Sequence, residues 1–384
     1  MELTKCKLGE LITQRREKND GSDLPICGVS KDGLIPPKQK DADTSIYNVF
    51  YRDDFIFNPA RMELNSIAIN DMYDRAICSS LYEVFYVHRT DLLLPHYLEL
   101  IIRQKWFTRY CEFLGQGSAR EYCRFGNISE IEIEFPPIEE QQKIVEYNTA
   151  IENRIALKQK INDNLVAVGT ASIQKNVGRG ALINLTEAEM DSLIFPEDFK
   201  IKTVSEFCAE TKSGSTPSRT NNEYWENGTI SWVKSGEVHN NITLQTEEYI
   251  TSLGLSESST KLLPKDTVLM AMYGVTAGEV GYLAIEATTN QAICGMICRS
   301  KAEAAYLYFS LIQSQAAISR LSNGGAQDNL SKNFIDNIKI VVPPSEFIEK
   351  LNLAAIVEQM TLNTKEITLL KELQATVLAQ LSSR

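Results

Sequence analysis

Polar and basic side chains are concentrated in one long segment whose chemistry suits a phosphate backbone. The segment, TKSGSTPSRTNNEYWENGTISWVKSGEV, spans residues 211–238 and mixes glycines with hydroxyl, amide and basic side chains. Backbone amides at glycine, hydroxyls and the cations Lys212, Arg219 and Lys234 are groups that contact phosphate oxygens in protein–DNA interfaces. The segment therefore predicts a surface that binds a polyanion, with an ordinary polar surface loop as the alternative.

Two shorter segments carry side chains that could bond to the edges of bases. In NGGAQDNLSK, Gln327 and Asn329 have the amide groups that pair with adenine. Lys332, at the end of the same segment, could reach a phosphate. In GQGSAREYCR, Arg120 has the guanidinium that pairs with guanine. Each of these segments has the same alternative of an ordinary surface loop.

These segments and the basic clusters QRREK and KDGLIPPKQK supply the candidate DNA-contacting residues. The set consists of Arg15, Arg16, Lys31, Lys38, Ser118, Arg120, Arg124, Lys212, Ser213, Ser215, Arg219, Lys234, Tyr273, Gln327, Asn329 and Lys332. All of them are residue types found in contacts to nucleic acid, and all except Tyr273, near the end of LLPKDTVLMAMYG, lie in these polar or basic segments.

No segment has the spacing of a common catalytic or nucleotide-binding motif. The chain contains no GxxxxGK[ST], HExxH or GxSxG sequence. GQGSAR differs from the GxGxxG fingerprint because Arg120 occupies the last glycine position. FNPARM shares only Asn58 and Pro59 with the Asn-Pro-Pro-aromatic signature of amino-methyltransferases. The sequence therefore favours a binding protein over an enzyme and predicts no catalytic residue.

The eight cysteines and three histidines predict no metal site. No CxxC pair exists, and Cys294 and Cys298 have no second pair or nearby histidine to complete a zinc set. Scattered free cysteines are most often buried and inert. We therefore expect structural thiols only.

Charge and hydropathy are those of a soluble globular protein. The 384 residues are 43% hydrophobic and 23% charged, and they suffice for two or more domains. No run approaches the roughly 18 apolar residues of a membrane span, and MELTKCKLGELITQRREKND lacks the apolar core of a signal peptide. A cytoplasmic location is expected. The net charge of −11 argues mildly against nucleic acid, but a binding groove responds to local charge.

The elements that must position these loops occur twice. Aligning the double prolines at 136–137 and 343–344 gives a gap-free block at an offset of 207 residues. Further matches pair Leu8 with Val204, Ala76-Ile77-Cys78 with Ala292-Ile293-Cys294, and Tyr97 with Tyr306, at offsets of 196, 216 and 209. Any one match could be chance, but a collinear series indicates an internal repeat.

Each repeat predicts a mixed α/β (α+β) domain followed by a long helix. DDFIFNPARM and LLPKDTVLMAMYG have the residue types of strands, and PHYLELIIRQKWFTRYCEFL and AAYLYFSLIQSQAAISRLS have the period of amphipathic helices. Each domain closes with an alternating strand, through Ile133 in the first and Ile340 in the second. The double proline ends that strand because proline cannot donate to a strand ladder.

The segments after the prolines predict two long helices that pair. Their apolar residues recur at close to 3.5 positions, as in a coiled coil. The predicted seam comprises Ile144, Tyr147, Ile151, Ile155, Ile161, Leu165 and Val168, then Leu353, Ile356, Met360, Ile367, Leu370, Val377 and Leu381. Because a whole domain lies between the two segments, an antiparallel pair is expected, with Asn363 and Gln374 fixing its register. Two separate surface helices are the alternative.

These elements predict two similar globular domains held apart by a helical rod. Helices over 139–168 and 345–382 would span about 45 Å and about 57 Å at the usual rise. The predicted boundaries are domain one at 1–137, a central helical spacer at 138–176, a linker at 177–198, domain two at 199–344 and a C-terminal helical spacer at 345–384.

The same residues carry a resemblance to the specificity subunit of type I restriction-modification systems. SGSTPSRTNNEYWENGTISWVKSGEV, LLPKDTVLMAMYG, TTNQAICGM and GGAQDNLSKNFIDNIKIVVPP occur in the order of a target-recognition domain of this family, and PPIEEQQKIVE resembles its helical spacer. The first half lacks the SGSTPSR and EYW signatures, and VVPPSEFIEK departs from PP-x-EEQ because Phe347 and Ile348 replace the polar pair. The resemblance covers essentially the whole chain.

The resemblance implies a role within a larger complex. Each domain would read one half of a split, asymmetric sequence in double-stranded DNA. The paired helices would set the distance between the halves and dock methyltransferase subunits, two of them by our expectation, which carry S-adenosylmethionine. Restriction subunits that use ATP and Mg²⁺ would then join. This chain would bind no cofactor, insert into no membrane and catalyse no reaction.

Two other functions fit the same residues. One is the DNA-recognition subunit of a methylation-only or other defence complex, which the neighbouring genes would distinguish. The other is a scaffold whose domains bind protein, which sequence-specific and salt-dependent DNA binding would exclude. A self-sufficient methyltransferase has less support, because the chain lacks cofactor and catalytic signatures.

Overall fold

The computed structural model describes residues 3–31, 33–37, 43–115, 122–183, 185, 189, 193–239, 242–322 and 329–382. The chain divides into two compact units, the first formed by residues 1–154 with 370–384 and the second by residues 155–369. In the described part of the chain, no helix is long and apolar enough to cross a membrane.

The first unit contains the strands and helices of the first repeat. Its strands are β1 (Thr4–Lys7), β2 (Ile12–Arg15), β3 (Ile26–Ser30), β4 (Gly33–Ile35), β5 (Asn48–Tyr51), β6 (Phe55–Phe57), β7 (Ile67–Ile69), β8 (Arg75–Cys78), β9 (Glu83–Val87) and β10 (Glu132–Phe135). Its helices are α1 (Pro95–Ile102), α2 (Lys105–Gly115), α3 (Phe125–Ser129) and the first part of α4 (Ile138–Asn176). The strands form three sheets, ordered β1-β10, β2-β9-β6-β7 and β4-β3-β8-β5.

The second unit contains the second repeat. Its strands are β11 (Ala181–Leu182), β12 (Lys200–Thr203), β13 (Glu210–Ser213), β14 (Ile230–Val233), β15 (Ile242–Thr243), β16 (Glu248–Ile250), β17 (Thr267–Ala271), β18 (Val280–Leu283), β19 (Thr288–Thr289), β20 (Ile293–Ile297) and β21 (Lys339–Val342). Its helices are α5 (Val204–Phe207), α6 (Ser252–Ser256), α7 (Lys301–Ser322), α8 (Lys332–Asp336), α9 (Ser345–Lys350) and most of α10 (Leu353–Ser382). The sheet orders are β11-β21-β12, β13-β20-β17-β18-β15 and β16-β14-β19.

The two units share one arrangement of strands, which confirms the internal repeat and the mixed α/β fold. The order β2-β9-β6-β7 corresponds to β13-β20-β17-β18, and β4-β3-β8 corresponds to β16-β14-β19. In the sheets β4-β3-β8-β5 and β16-β14-β19 one pair is parallel, β3 with β8 and β14 with β19. A backbone hydrogen bond is also repeated, from Leu8 to Ile131 (2.8 Å) and from Val204 to Ile338 (2.9 Å). The alignments made at these residues therefore join equivalent positions.

One predicted match of the repeat is wrong. Ala76-Ile77-Cys78 lies on β8, whose counterpart is β19, whereas Ile293 and Cys294 lie on β20, whose counterpart is β9. Both β8 and β20 are interior strands with almost continuous burial. Buried strands draw on the same few apolar residues, so a three-residue identity carries no information about strand order.

Aromatic side chains join the sheets to the helices in the core of each unit. In the first unit, Phe55 of β6 stacks on Phe85 of β9 with ring centroids 4.9 Å apart, beside the buried Tyr97 of α1. In the second unit, Tyr282 of β18 meets Tyr308 of α7 edge to face at 5.7 Å. Such pairs are favourable beyond the area that they bury, and the pair of Tyr282 with Tyr308 joins α7 to its sheet.

The strand before each double proline forms as predicted. Along β10, Ile133 and Phe135 are buried while Glu132 and Glu134 are exposed, which matches the period of two. In β21 both Ile340 and Val341 are buried, because β21 is the central strand between β11 and β12. A feature not predicted is the buried Gln141, whose amide donates to the carbonyls of Leu92 (2.7 Å) and Pro136 (2.8 Å). This residue joins the start of α4 to its own domain.

The helices α4 and α10 pair in each unit through a polar contact. In the second unit, Asn363 is 1% exposed and its amide donates to Oδ1 of Asn162 (2.9 Å). Nζ of Lys158 lies 2.8 Å from Glu366, so α10 runs antiparallel to α4 there. In the first unit, the amide of Gln374 donates to Oδ1 of Asn148 (3.0 Å). The predicted helix pairing is therefore found, with Asn363 and Gln374 at its interface.

The apolar seam differs from the prediction at two positions on α4. Tyr147 is 65% exposed and Val168 is 55% exposed, while the neighbouring Asn148 and Gly169 face inward. An idealised Cβ on Gly169 would lie 2.3 Å from the ring of Phe309, so a side chain there would clash with α7. The heptad pattern was read from apolar residues only, but the helix interface also contains the polar Asn148 and the small Gly169. The remaining predicted seam residues are buried or half-buried, namely Ile144, Ile151, Ile155, Ile161, Leu165, Leu353, Ile356, Met360, Ile367, Leu370 and Val377, and the side chain of Leu381 lies outside the described residues.

The helix predicted over 345–382 is divided in two. Helix α9 ends at Lys350 and α10 begins at Leu353, with Asn352 between them in the left-handed region at φ +54°. Asparagine is one of the few residues with a side chain that visits this region readily. The predicted seam begins at Leu353, after the break, so its periodicity gave no information about residues 345–352.

Candidate nucleic-acid interface

The first unit contains an open cleft of about 1390 Å³ beside β3, β4 and the helical turn Pro59–Leu64. Its lining carries four cations and three tyrosines, namely Lys31, Arg61, Arg103, Arg124, Tyr47, Tyr82 and Tyr122. Cations with interleaved aromatic rings are the groups that contact nucleic acid. The predicted candidates Lys31 and Arg124 are therefore brought together in this cleft, together with Arg61 and Arg103, which the sequence did not single out.

The four cations of the cleft differ in how strongly they are already paired. Arg124 lies 3.2 Å from Glu83, and Arg103 contacts Glu99 at 2.5 Å. Lys31 and Arg61 are exposed, and no described residue pairs with either side chain. An unpaired cation binds a phosphate or base without first losing a carboxylate, so Lys31 and Arg61 are the better placed of the four.

Arg15 has a structural position instead. Its guanidinium forms two bonds to the buried carboxylate of Asp54, at 2.6 and 3.0 Å. The same group lies over the rings of Tyr51 (4.7 Å) and Tyr86 (4.5 Å). Burial raises the pKa of the Asp54 carboxyl, and the hydrogen bond from Arg15 opposes that rise. Arg16 is exposed, and its Nε donates only to the side chain of Gln14 (2.8 Å) among the described residues.

In the second unit, the segment 211–238 is folded around an arginine clamp. Arg219 lies over the rings of Trp225 (3.7 Å) and Trp232 (4.8 Å) and forms an ion pair with Glu248. The Trp232 indole donates to the carbonyl of Ser215 (3.0 Å). The hydrogen bond from Arg219 lowers the pKa of Glu248. Cation–π contacts and an ion pair thus hold the loop in one shape.

The other predicted cations of the second unit are also paired. Lys234 contacts Glu247 and Glu248, and its hydrogen bond to Glu247 raises the pKa of Lys234. Lys212 lies 2.8 Å from Glu210. At the start of α8, Nζ of Lys332 donates to the hydroxyl of Thr211 (2.7 Å) and to the carboxylate of Asp336 (2.5 Å). Each of these cations forms an ion pair with an acidic residue of its own domain. The sequence alone does not predict these pairs.

The remaining candidates of the second unit lie in loops near these cations. The hydroxyl of Ser215 lies 2.7 Å from that of Ser259, and Ser213 ends β13. Tyr273 is 40% exposed and forms an isolated bridge with the exposed Asn329. The candidates Lys38, Ser118, Arg120 and Gln327 lie outside the described residues. All sixteen candidates stay predictions as DNA contacts.

Two exposed residues of the second unit were missed by the sequence reasoning. Lys261 follows Thr260, whose hydroxyl donates to the carbonyl of Ser215 (3.4 Å), and no described residue pairs with the Lys261 side chain. Val275 is fully exposed in the connection between β17 and β18. A single lysine or valine in the sequence does not indicate a binding role, because only the fold shows which other residues lie near it.

Duplicated mixed α/β domains, each followed by a helix of the pair α4 and α10, define a repeat-built binding protein with two recognition surfaces. The model of the family described as "Type I restriction modification DNA specificity domain" matches residues 6–167 and 196–375. The chain therefore belongs to this family, as the sequence resemblance predicted, and the family domain occurs once in each repeat.

Curated relatives are similar over much of their length. The specificity subunit of the type I restriction enzyme HindI of Haemophilus influenzae is 22% identical over 76% of this chain and 77% of its own length. The specificity subunit of EcoR124I/EcoR124II of Escherichia coli is 26% identical over 51% of this chain and 46% of its own length. A solved S subunit of a type I restriction-modification system from M. genitalium is 15% identical and superposes with a TM-score of 0.58 over 99% of this chain and 96% of that chain, which supports the fold.

Proposed function

We propose that this chain is the DNA-recognition subunit of a type I restriction-modification complex, in which each domain reads one half of a bipartite, asymmetric target. The observation that carries the proposal is the repeat itself. The two domains have the same strand order but expose different polar groups, an open basic cleft in the first and an arginine clamp with paired cations in the second. Two equal frameworks with unequal surfaces suit two different half-sites.

The test is sequencing of modified bases in the host genome, with and without the gene. Loss of N6-methyladenine at one split, asymmetric motif is the expected outcome and would also identify the target. The complex of this chain with its neighbouring methyltransferase should bind that motif with an affinity that falls steeply with salt. Equal binding to the motif and to unrelated duplexes would reject the proposal in favour of a protein scaffold.

We infer further that two methyltransferase subunits dock on the helices and that restriction subunits join them. The support is a set of exposed leucines on the outer faces of α4 and α10, namely Leu157, Leu362 and Leu369 in the second unit. Exposed leucines at heptad spacing are typical of a helix face that another protein covers. Replacing Leu362 and Leu369 by serine should weaken co-purification with the methyltransferase by about tenfold or more. Ile194→Ser, at an exposed position away from the helices, is the matched control.

This division of labour leaves cofactors and catalysis to the partners. The chain itself would bind neither S-adenosylmethionine nor ATP and Mg²⁺, and it would work in the cytoplasm. Calorimetric titration of the purified chain with S-adenosylmethionine should give no heat of binding, while the complex with methyltransferase binds it. A signal from the chain alone would contradict this assignment. A methylation-only complex is the alternative, and the neighbouring genes decide it by the presence or absence of a restriction subunit.

We also propose that the pairing of α4 and α10 sets the spacer between the half-sites. The support is the hydrogen-bonded polar contact in each unit, which a shift in register would break. Deleting one heptad from α4 within 144–168 should change the spacer length of the methylated motif or abolish methylation. Full methylation of an unchanged motif would reject this role.

A further inference from the structure

One connection occupies the same point of the fold in both units. In the first unit it joins β6 to β7, and the carbonyl of Pro59 accepts a hydrogen bond from the amide of Cys123 (3.0 Å). In the second unit it joins β17 to β18, and the carbonyl of Met272 accepts from the amide of Leu330 (2.8 Å). Cys123 lies two residues before the first residue of α3, and Leu330 lies two residues before the first residue of α8. The two residues are 207 positions apart, which is the offset that aligns the repeats. We call these two connections the hairpin tips.

The two hairpin tips present opposite chemistry. The first exposes Arg61 on the wall of the basic cleft, where no described residue pairs with its guanidinium. The second exposes Val275, with Tyr273 beside it 40% exposed. Gly274 and Gly278 flank the valine at φ +73° and +88°, a backbone region that favours glycine. The backbone of the second tip is thus shaped around a valine that touches nothing in its own domain.

A single exposed valine is common on protein surfaces and carries no argument by itself. The position of Val275 supports an argument, because the equivalent hairpin tip in the first unit lines the cleft that best suits nucleic acid. Below that tip, Oδ1 of Asn65 is buried and accepts no hydrogen bond from the described residues. Lys31 lies on the lining of the same cleft and offers a second unpaired cation. The tip therefore lies at the recognition face of its domain.

We propose, resting on the function proposed above, that the hairpin tips are base-reading contacts of the two domains. Arg61 would form two hydrogen bonds to O6 and N7 of a guanine in the half-site of the first domain. Val275 would pack on the C5 methyl group of a thymine in the half-site of the second domain. Both contacts are made in the major groove, where guanidinium pairs with guanine and apolar side chains contact the thymine methyl.

Base analogues in the target test both contacts, using the complex of this chain with its methyltransferase. Replacing the contacted guanine by 7-deazaguanine removes N7, and the wild-type complex should bind about tenfold more weakly. Replacing the contacted thymine by uracil removes one methyl group, which should weaken binding about fourfold. Arg61→Ala should bind the deazaguanine and natural duplexes equally, and Val275→Ala should do the same for the uracil and natural duplexes.

Matched variants separate base reading from folding and charge. Arg61→Lys keeps the cation but loses the fork, so it should keep the salt dependence of binding and show a smaller deazaguanine effect than the wild type. Arg52→Ala, at the other end of β6, and Ile194→Ala, another exposed apolar position, should respond to the analogues as the wild type does. Thermal unfolding of each variant shows that it is folded.

The possible outcomes separate this inference from the function on which it rests. If the analogues weaken binding by Arg61→Ala and Val275→Ala as much as they weaken binding by the wild type, the hairpin tips do not read bases. Specific binding by the wild type would still support the proposed function. If the wild-type complex binds target and unrelated duplexes equally, the proposed function itself is wrong. Loss of one analogue effect in each variant supports the assignment.

Discussion

An arginine contacts two aromatic rings in each unit, and the acids that hold the two arginines differ. Arg15 of the first unit bonds to Asp54, which is 1% exposed, whereas Arg219 of the second bonds to Glu248, whose side chain is 30% exposed. The first clamp joins β2 to the turn before β6 inside the framework. The second holds a surface loop in place. The same side-chain chemistry thus stabilises the framework in one domain and fixes the shape of a surface loop in the other.

The largest effect should come from the position that follows β13 in the second domain and the equivalent strand β2 in the first. Gly214 follows β13, and an idealised Cβ there would lie 2.1 Å from Oγ1 of Thr289 and 2.3 Å from backbone oxygens. Gly214→Ala should lower the free energy of unfolding by about 3 kcal/mol, because the backbone cannot move aside. Arg16→Ala, at the equivalent exposed position, should change it by less than about 0.5 kcal/mol. Denaturant unfolding of the purified chain measures both.

Gly236 provides the control for this prediction, because an added Cβ would meet nothing within 4 Å. Gly236→Ala should unfold like the wild type. A Gly214→Ala protein of unchanged stability would show that the second loop is looser than its contacts indicate.

The two arginine clamps should differ in stability. Arg15→Ala leaves the buried carboxylate of Asp54 without its cation and should cost about 2 to 3 kcal/mol. Arg219→Ala should cost about 1 kcal/mol, since Glu248 stays hydrated. Adding Asp54→Asn to Arg15→Ala removes the uncompensated charge and should restore part of the loss. Equal costs for the two single variants would remove the distinction between a framework clamp and a surface clamp.

The polar contact between α4 and α10 in the second unit should contribute more to stability than the one in the first unit. Asn363→Ala removes the donor to Oδ1 of Asn162 at a buried position, while Lys158 keeps its ion pair with Glu366, and should cost about 2 kcal/mol. Gln374 is only half-buried, so Gln374→Ala should cost about 1 kcal/mol. Thermal unfolding of the two variants in parallel provides the comparison, and a larger loss for Gln374→Ala would reverse it.

The smallest effect concerns pH and the second clamp alone. The pKa of Glu248 is lowered in the folded chain, chiefly by the hydrogen bond from Arg219. Its contribution to stability is therefore present above the unfolded value of about 4.3 and is lost as the pH falls through the folded value. The stability difference between the wild type and Glu248→Gln should be constant at neutral pH and shrink as the pH falls below the unfolded value of about 4.3. A difference that does not change with pH would show that Arg219 does not depend on this charge.

Local patterns predicted the elements of this chain, and long-range contacts decided the roles of its side chains. The alternation around Ile133 and the double prolines correctly located β10 and the start of α4, because strand period and proline chemistry are local properties. Asn363 was correctly assigned to the helix interface. The pairing of Arg219 with Glu248 was not predicted, because 29 residues separate the two and only the sheet β16-β14-β19 joins them. Lys332 likewise bonds a threonine 121 residues away.

The first and last strands of each repeat pair with each other, β1 with β10 and β12 with β21. The chain therefore enters and leaves each domain on neighbouring strands of one small sheet. The strand on which it leaves is followed directly by the double proline. A segment with such adjacent ends can be cut out as a cassette and replaced by another of the same strand order without rerouting the rest of the chain. Recombination at these points would exchange one half of a target while leaving the helices and the other half intact.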